Sequence, residues 1–593
     1  MVTKETEPGG RCALRNFTPM TKTCSWGPRD FAAAIILFAV TAGVILWQNA
    51  HIAVLWDLSY VLDTAARIAA GQMPYRDFPL VHSPLTFVVQ AAIMRLTGRV
   101  LFHHTLYVAA IGGLSTLLTW RIALRITRSW PIALVLAAPL AVLGIYCILP
   151  HPSYDCECAF WMLVALWFLL RLEDAPAGWG RGIAAGVAAC MPAFFKQNMG
   201  LPFLVAVLVA VGYVFVWQRA PLRRALWAVL AGAACTLAVA LVLLHFTAGL
   251  GNYLQWTVQF AGQRRMPTAG AMFSVYAEPL LWWMLPCLVV GWWLLVRANN
   301  IVHSHRSVGN SKFLAASALL LMAAPFVWTL SSLLRFEDKD DRAAALLAIW
   351  PLLLIAAWAL AVARVLRLRG TAQVRDLLPW IVLAAITGTF MSQQLWGSTY
   401  AIWPLLVLLV AELMSVLPDW KPERNAMAAV IAVTLLVCGA AYLVSEERLE
   451  YAQFPPGAAV KSTTPQLKGL ATPGPFVPEL DELLRYVAEN IPPNDGLVLI
   501  PGEDPFYFAT GRVPRFPVLL FDPTTDPYSP EQTAAEMQAR GIRWLIVKRN
   551  LQMVGNPAPE PVALMQALQR DYAVVARLRG YDVYKTIAEG PGN

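Results

Sequence analysis

Four short stretches of this chain gather ionisable side chains between long apolar runs. Trp56–Leu85 reads WDLSYVLDTAARIAAGQMPYRDFPLVHSPL and carries Asp57, Asp63, Arg67, Arg76, Asp77 and His82. HPSYDCEC carries Asp155 and Glu157, FFKQN carries Lys196, and NYLQWTVQFAGQRRM carries Arg264 and Arg265. Carboxylates beside Lys and Arg are the set needed for a reaction on a phosphate-linked substrate. A carboxylate removes a proton from an attacking hydroxyl, while cations or a metal ion neutralise the leaving phosphate. For such chemistry the four stretches must open onto one compartment.

Each of these residues also has a plainer reading. Asp57 is a favoured N-cap type for a helix beginning at Leu58. Asp77 suits a turn acid paired with Arg76, and Asp63 with Arg67, four apart, a surface pair on a helix. Asp155 can cap the span that follows it, Lys196 can snorkel to the interface, and Arg264 with Arg265 can meet lipid headgroups. Cys156-x-Cys158 lacks His or Cys partners at ligand spacing, which argues against a metal site. His303 and His305 fall on the other side of the membrane from the proposed chemistry. The acidic run Phe336–Arg342 reads as a solvated loop.

The elements that position these residues follow from composition. The chain has 593 residues, of which 58% are hydrophobic and only 14% charged, with 23 Trp and a mean hydropathy of +0.54. Those values exclude a soluble globular protein and fit a polytopic α-helical membrane protein. The net charge of +9 is spread in short clusters beside apolar runs, which marks topology and not nucleic-acid binding. No Cys follows Cys438, so the C-terminal region has no disulfide framework.

Residues 1–30 read as a cytoplasmic N-terminal tail, and Phe31–Gln48, without a small-residue cleavage pattern, as a retained span. A loop of roughly 50 residues follows, 49–100, too long for a plain connector. Within it, Leu58–Ala70 has the pattern of a short interfacial helix ended by Gly71 and Pro74, and Pro84–Thr97 that of a second surface helix. Further apolar runs bring the expected spans to about 13 within residues 31–444. Arg121/Arg125/Arg128, Arg219/Arg223/Arg224, Arg297/Arg306/Lys312, Arg364/Arg367/Arg369/Arg375 and Lys421/Arg424 then share the side of the N-terminus, which the positive-inside rule makes cytoplasmic. Residues 445–475 are rich in Pro, Gly and Thr and read as a linker. Alternating helix and strand patterns over 476–593 predict a small C-terminal α/β extracytoplasmic domain.

A membrane span, a loop with an early acid, then Gly71-Gln72-Met73-Pro74-Tyr75-Arg76-Asp77-Phe78 and His82-Ser83-Pro84-Leu85 resembles the GT-C superfamily of polyprenyl-phosphate-sugar-dependent glycosyltransferases. That superfamily includes the lipid A aminoarabinose transferase, the protein O-mannosyltransferases and the RgtA/B/C/D-like sugar transferases. The resemblance extends to Asp155 before a span, to Phe195-Lys196-Gln197, and to a C-terminal domain after about 13 spans. It implies Asp57 as catalytic base or metal-linked acid, with Asp155 as the second-loop acid and Asp77 a further catalytic candidate. It implies Lys196 and Arg264 or Arg265 as contacts to the donor phosphate, and makes Tyr75, His82 and Glu157 candidate contacts to donor or acceptor. Many relatives have Asp-Glu where this chain has Asp57-Leu58, which leaves a divalent metal ion open as a cofactor. The implied partners are a polyprenyl-phosphate-linked sugar and a lipid or cell-envelope glycan acceptor, with the reaction on the outer face of the inner membrane. A flippase or transporter of lipid-linked sugars is the alternative, although it should show internal repeats and mid-span charges. The enzyme reading requires Asp57, Asp155 and Lys196 to share one pocket.

Overall fold

The computed structural model describes residues 26–174, 178–217, 220–264, 266–303, 308–368, 372–391, 400–418, 421–445, 447–554 and 561–587. The apolar runs form helices because a backbone in hydrocarbon must satisfy its own hydrogen bonds. In chain order the first ten are α1 (Pro28–Asn49), α2 (Leu55–Ala69), α3 (Leu85–Thr97), α4 (Leu101–Thr127), α5 (Trp130–Ala137), α6 (Leu140–Leu143), α7 (Tyr154–Arg171), α8 (Trp179–Phe195), α9 (Gln197–Trp217) and α10 (Ala220–Thr247). Among the described residues eight helices are long and apolar enough to cross a membrane, and three shorter apolar helices accompany them. The chain is a multi-pass membrane protein; the eight stand against the expected 13.

The two ends of the helix bundle differ in chemistry. At the N-terminal end of α1, Arg121 pairs with Asp30 at 3.7 Å and lies 4.5 Å above Trp26. Arg125 pairs with Asp174, Arg424 donates to the Thr127 carbonyl at 2.8 Å, and Arg364 pairs with Glu412 at 2.5 Å. At the other end of α1, Asn49 donates to the Pro150 carbonyl and Gln48 to the Leu443 carbonyl, each at 3.0 Å. Residues 49–100, Pro150 and the end of the last apolar helix, Lys421–Val444, therefore share the end opposite the arginine clusters.

The acidic run Phe336–Arg342 starts a helix there: Asp338 caps Lys339–Leu347 by accepting from the Asp340 N–H at 2.6 Å. His303 lies at the end of a helix, and His305 falls outside the described residues.

The C-terminal α/β domain holds a four-stranded sheet of β3 (Gly496–Ile500), β4 (Ile542–Lys548), β5 (Tyr572–Arg577) and β6 (Tyr581–Thr586) in the order β3-β4-β6-β5. β3 and β4 are parallel, and the other two pairings are antiparallel. Helices Phe476–Asn490, Pro530–Ala539 and Pro561–Leu568 alternate with the strands, as the sequence pattern predicts. The stretch expected as a linker contains β1 (Val460–Lys461) and β2 (Ala471–Thr472), paired antiparallel.

The structure revises the reading of the loop. The first loop helix begins at Leu55, so Asp57 is the third residue of its first turn and the N-cap is Val54. Nor does α2 lie on a membrane surface. Its face of Leu55, Leu58, Leu62 and Ala65 is buried in one core with Leu480, Leu483, Phe506, Phe508, Trp544 and Val583 of the α/β domain.

Asp63 and Arg67, expected as an exposed pair, are both 2% exposed. Asp63 accepts from the backbone N–H groups of Tyr507 (3.2 Å) and Phe508 (2.7 Å), in the short helix Phe506–Thr510. Arg67 donates to the Pro517 carbonyl (2.6 Å) and to Gln72 (2.5 Å). Apart from Gln72, these partners lie more than 400 residues downstream, and no local pattern marks them. From the α3–α4 turn, Arg99 donates to the Phe508 carbonyl at 3.0 Å. Its guanidinium fills the space that a Cβ at Gly511 (φ +71°) would need.

Burial pushes the Asp63 carboxyl up to about 8, against the lowering effect of the two N–H groups. A carboxyl with a raised folded-state pKa binds more protons folded than unfolded. Its contribution is greatest below the unfolded value near 4 and is lost as pH rises toward about 8. The melting temperature of the detergent-solubilised protein is expected to fall across that window. Asp63→Asn, which cannot titrate, is expected to flatten the slope; an unchanged slope would show that Asp63 does not control it.

Candidate active site

The candidate residues cluster where α2, α7 and the α8–α9 junction approach one another. Asp57 sits in the first turn of α2, where the helix N-terminus favours an anion; it is half-buried and accepts from the Tyr451 hydroxyl at 2.7 Å. Asp155 lies in the first turn of α7 and is buried, as is Lys196 at the end of α8, and the two form an ion pair. The Lys196 ammonium also lies 5.1 Å from the centre of the Tyr154 ring. His82 stacks on the same ring at 4.1 Å and shares a hydrogen bond with the Tyr60 hydroxyl at 2.8 Å.

Asp57 and Asp155 are joined electrostatically through two tyrosines. Burial, with Asp155 and Asp57 adding their charge, pushes the Tyr400 hydroxyl well above the ordinary phenol range. Burial and Asp57 do the same at Tyr451, where Asp155 also acts. Both phenols therefore stay protonated, and Tyr451 donates to Asp57. The pocket thus combines one half-buried carboxylate, one carboxylate–ammonium pair, a histidine and four tyrosines.

Loop residues 81–83 are clamped to the α8–α9 junction. Ser83 donates its hydroxyl to the Ala193 carbonyl at 2.9 Å, and Gln197 donates to the Val81 carbonyl at 2.9 Å. His82 and Lys196 are therefore set by one shared joint. Tyr75, in the left-handed region at φ 68°, is buried and donates to the His82 carbonyl at 2.7 Å. It supports the loop from behind. Glu157 is also buried, and accepts from Gln90 at 3.0 Å.

The α/β domain holds the Asp57 end of α2 through Gln552, and the Ser59 hydroxyl donates to the Gly502 carbonyl at 2.7 Å. Gln552 accepts from the Leu55 N–H at 2.8 Å and donates to the Ala53 carbonyl at 2.9 Å. The segment around it also binds the Tyr451 segment, with Gln453 N–H to the Gln552 carbonyl at 2.6 Å and Val554 N–H to the Tyr451 carbonyl at 2.8 Å. Both supports of Asp57, the helix start and the Tyr451 hydroxyl, thus converge on residues 552–554. Those residues are fixed in turn by Glu503, which accepts from the Gln552 and Met553 N–H groups at 3.1 and 2.7 Å. Glu503 and Asp504 are bound to Lys548 at 2.6 and 2.8 Å, with every side chain of this trio fully buried.

The remaining candidates fall elsewhere. Asp77 lies in an exposed turn, where it accepts from the Met73 N–H at 2.7 Å and pairs with Arg76 at 2.9 Å. The Arg76 hydrogen bond holds its carboxyl below the usual range. Arg264 donates to the Pro523 carbonyl of the α/β domain at 2.8 Å, and Arg265 lies outside the described residues. As for a metal, no group of three or more His, Cys, Asp or Glu side chains with the geometry to hold one occurs among the described residues. Among the described residues, Asp155 pairs with Lys196 and Asp57 accepts from a phenol, with no third ligand-type side chain grouped with them. Tyr60, Tyr154, Tyr400, Tyr451 and Gln552 were not singled out from the sequence. Tyr60 and Tyr154 could have been, since they lie one turn from Asp57 and next to Asp155.

Breaking a buried ion pair from one side leaves a stranded charge. Lys196→Met is expected to destabilise the protein by about 3 kcal/mol, read as a lower melting temperature in detergent. Adding Asp155→Leu is expected to restore most of the loss, and additive losses would contradict the coupling.

Comparison with known proteins comes from solved structures; no family model and no curated protein matches the sequence. The chain is similar to ArnT from Cupriavidus metallidurans in the apo state, with 15% identity over 95% of this chain and 100% of that chain, at a TM-score of 0.47. It is similar to the Archaeoglobus fulgidus oligosaccharyltransferase, with 12% identity over 93% of this chain and 72% of that one, at 0.48. For the S. cerevisiae protein O-mannosyltransferase Pmt1-Pmt2 complex the values are 18% identity, 43% and 37% coverage, and 0.32. These are likenesses of layout, and the chemistry of the site is read from its own side chains.

Proposed function

We propose that this chain is a membrane glycosyltransferase that moves a sugar from a polyprenyl-phosphate donor to a lipid or cell-envelope glycan acceptor. The observation that carries the reading is the cluster in which Asp57 accepts from Tyr451, Tyr60 on the same helix meets Tyr154, and Tyr154 lies against Lys196 of the Asp155–Lys196 pair. In the reaction, Asp57 takes the proton of the acceptor hydroxyl. The oxygen bonds to the anomeric carbon as the bond from that carbon to the phosphate oxygen breaks. The electron pair leaves with the polyprenyl phosphate, and Lys196, oriented by Asp155, meets the charge. Attack opposite the leaving group inverts the anomeric centre. His82 and Tyr60 line the sugar. Glu157, Tyr75 and Asp77 shape the loops. No step needs a metal ion.

The pocket lies at the end of the bundle opposite the arginine clusters. With those clusters in the cytoplasm, the N-terminus is cytoplasmic, and the pocket and α/β domain face the outer side of the inner membrane. The apolar helices beside α7 and α9 offer the isoprenoid chain a hydrocarbon surface.

Purified protein is to be supplied with polyprenyl-phosphate sugars and envelope glycolipids, and the released polyprenyl phosphate measured by mass spectrometry. Asp57→Asn is expected to lower transfer about 100-fold or more without loss of expression, and Lys196→Ala to lower it as well. Normal turnover in Asp57→Asn would reject the assignment. Flux of the lipid-linked sugar across liposomes without transfer would identify a flippase instead. Envelope glycolipids and glycoproteins compared between cells with and without the protein identify the sugar and the acceptor.

A further inference from the structure

The α/β domain carries a cleft of about 1220 Å³ that the pocket does not use. It lies between the end of helix Phe476–Asn490 with the turn after it and residues 510–515, and Gln72 reaches it from the loop. Asp57 is in the first turn of α2 and Gln72 lies just beyond its last turn. At 1.5 Å per residue the two are about 20 Å apart, so the cleft is separate from the reaction centre.

Its walls carry more positive charge than negative: among the described residues Arg485, Arg512 and Arg515 have no ion-paired carboxylate, against Asp481, which has no ion-paired cation. Arg512 donates to the carbonyls of Ile491 and Pro492 at 2.5 and 2.8 Å, and Arg515 to that of Asn494 at 2.5 Å. Carbonyls hold these guanidinium groups in place without neutralising them. Arg485 is exposed and has no side-chain partner among the described residues. The carboxylates of the cleft are already engaged: Asp481 accepts from Ser462, Thr463 and Thr464, and Asp495 from the Trp544 indole with Arg543 beside it. Arg540 at the rim is paired with Glu536 at 2.5 Å.

Three features identify the ligand class. Fixed guanidinium forks are suited to carboxylate, sulfate or phosphate groups. Amide side chains, Gln466 and Asn494, lie between them and offer hydrogen bonds to hydroxyls. The only aromatic ring in the lining, Tyr507, is 4% exposed and donates its hydroxyl to the Leu497 carbonyl, so no platform exists for stacking nucleic-acid bases. We propose that this cleft binds an anionic saccharide chain, with Arg485, Arg512 and Arg515 holding its acidic groups. Binding there is independent of the chemistry assigned to Asp57.

The test uses the full-length protein in detergent and thermophoresis with three labelled probes. These are a heparin-derived hexasaccharide, a neutral maltohexaose and a single-stranded oligonucleotide of matching charge. The hexasaccharide is expected to bind, at least tenfold more weakly to Arg485→Glu/Arg515→Glu and with unchanged affinity to Asp57→Asn. Maltohexaose and the oligonucleotide are expected to bind at least tenfold more weakly than the hexasaccharide. No hexasaccharide binding, equal affinity in the charge-reversed variant, or comparable binding of either control would overturn the proposal. Should the double variant fail to fold, Arg485→Gln alone, on an exposed side chain, is expected to weaken binding threefold or more, and no change would equally overturn it.

Discussion

The contact between α2 and the α/β domain is the constraint on which the rest depends. Alone, α2 is a helix of 15 residues with one apolar face, too short to be stable in water without tertiary packing. Covering Leu55, Leu58, Leu62 and Ala65 with the domain's Phe506, Phe508 and Trp544 supplies that packing, at roughly 25 cal/mol for each Å² of apolar surface removed from water. The polar part of the contact is directional. Asp63 meets two N–H groups at one place and Gln552 meets a N–H and a carbonyl at another. A packed face alone would let the helix slide, and these paired hydrogen bonds fix its rotation and its register.

That fixation passes directly to Asp57. A carboxylate that is to take a proton must stand within hydrogen-bond reach of it, yet Asp57 comes from a loop of roughly 50 residues between two membrane helices. The loop is held at its first helix by Gln552, at its far end by Arg99, and in the middle by Ser83 and Gln197. The buried Glu503, Asp504 and Lys548 group fixes residues 552–554 rather than the pocket itself. Removing three ionisable groups from water is expensive, and each here has its partners inside the protein.

The pocket and the arginine-lined cleft occupy opposite ends of the same helix, and their electrostatics differ. In the pocket, carboxylates are set among tyrosines and a single paired lysine. In the cleft, Arg485, Arg512 and Arg515 outnumber Asp481, the lining carboxylate held by neutral donors alone. One region suits the proposed proton transfer and leaving charge, the other the proposed binding of anions.

Much of this was legible in the sequence. Apolar run length and cation placement gave a multi-pass helical chain with one cation-rich end. The helix and strand alternation of the α/β domain was readable, because period and turn residues are local properties. Asp57, Asp155, Lys196 and His82 stood out because ionisable groups are costly in an apolar chain and are kept where they have work or partners. What the sequence could not decide is which charged residues meet which. Asp63 and Arg67 have the spacing of an ordinary surface pair, and only the fold shows that Tyr507, Phe508 and Pro517 are their partners. Asp77 matches the motif as well as Asp57 does, yet its turn closes on Arg76. Tyr400, Tyr451 and Gln552 have no local signature, since their roles arise from chain segments brought together across hundreds of residues. Periodicity and composition fix each segment's own shape; the docking of one segment on another is set by buried surface and by hydrogen bonds between distant parts of the chain, and that belongs to the tertiary structure alone.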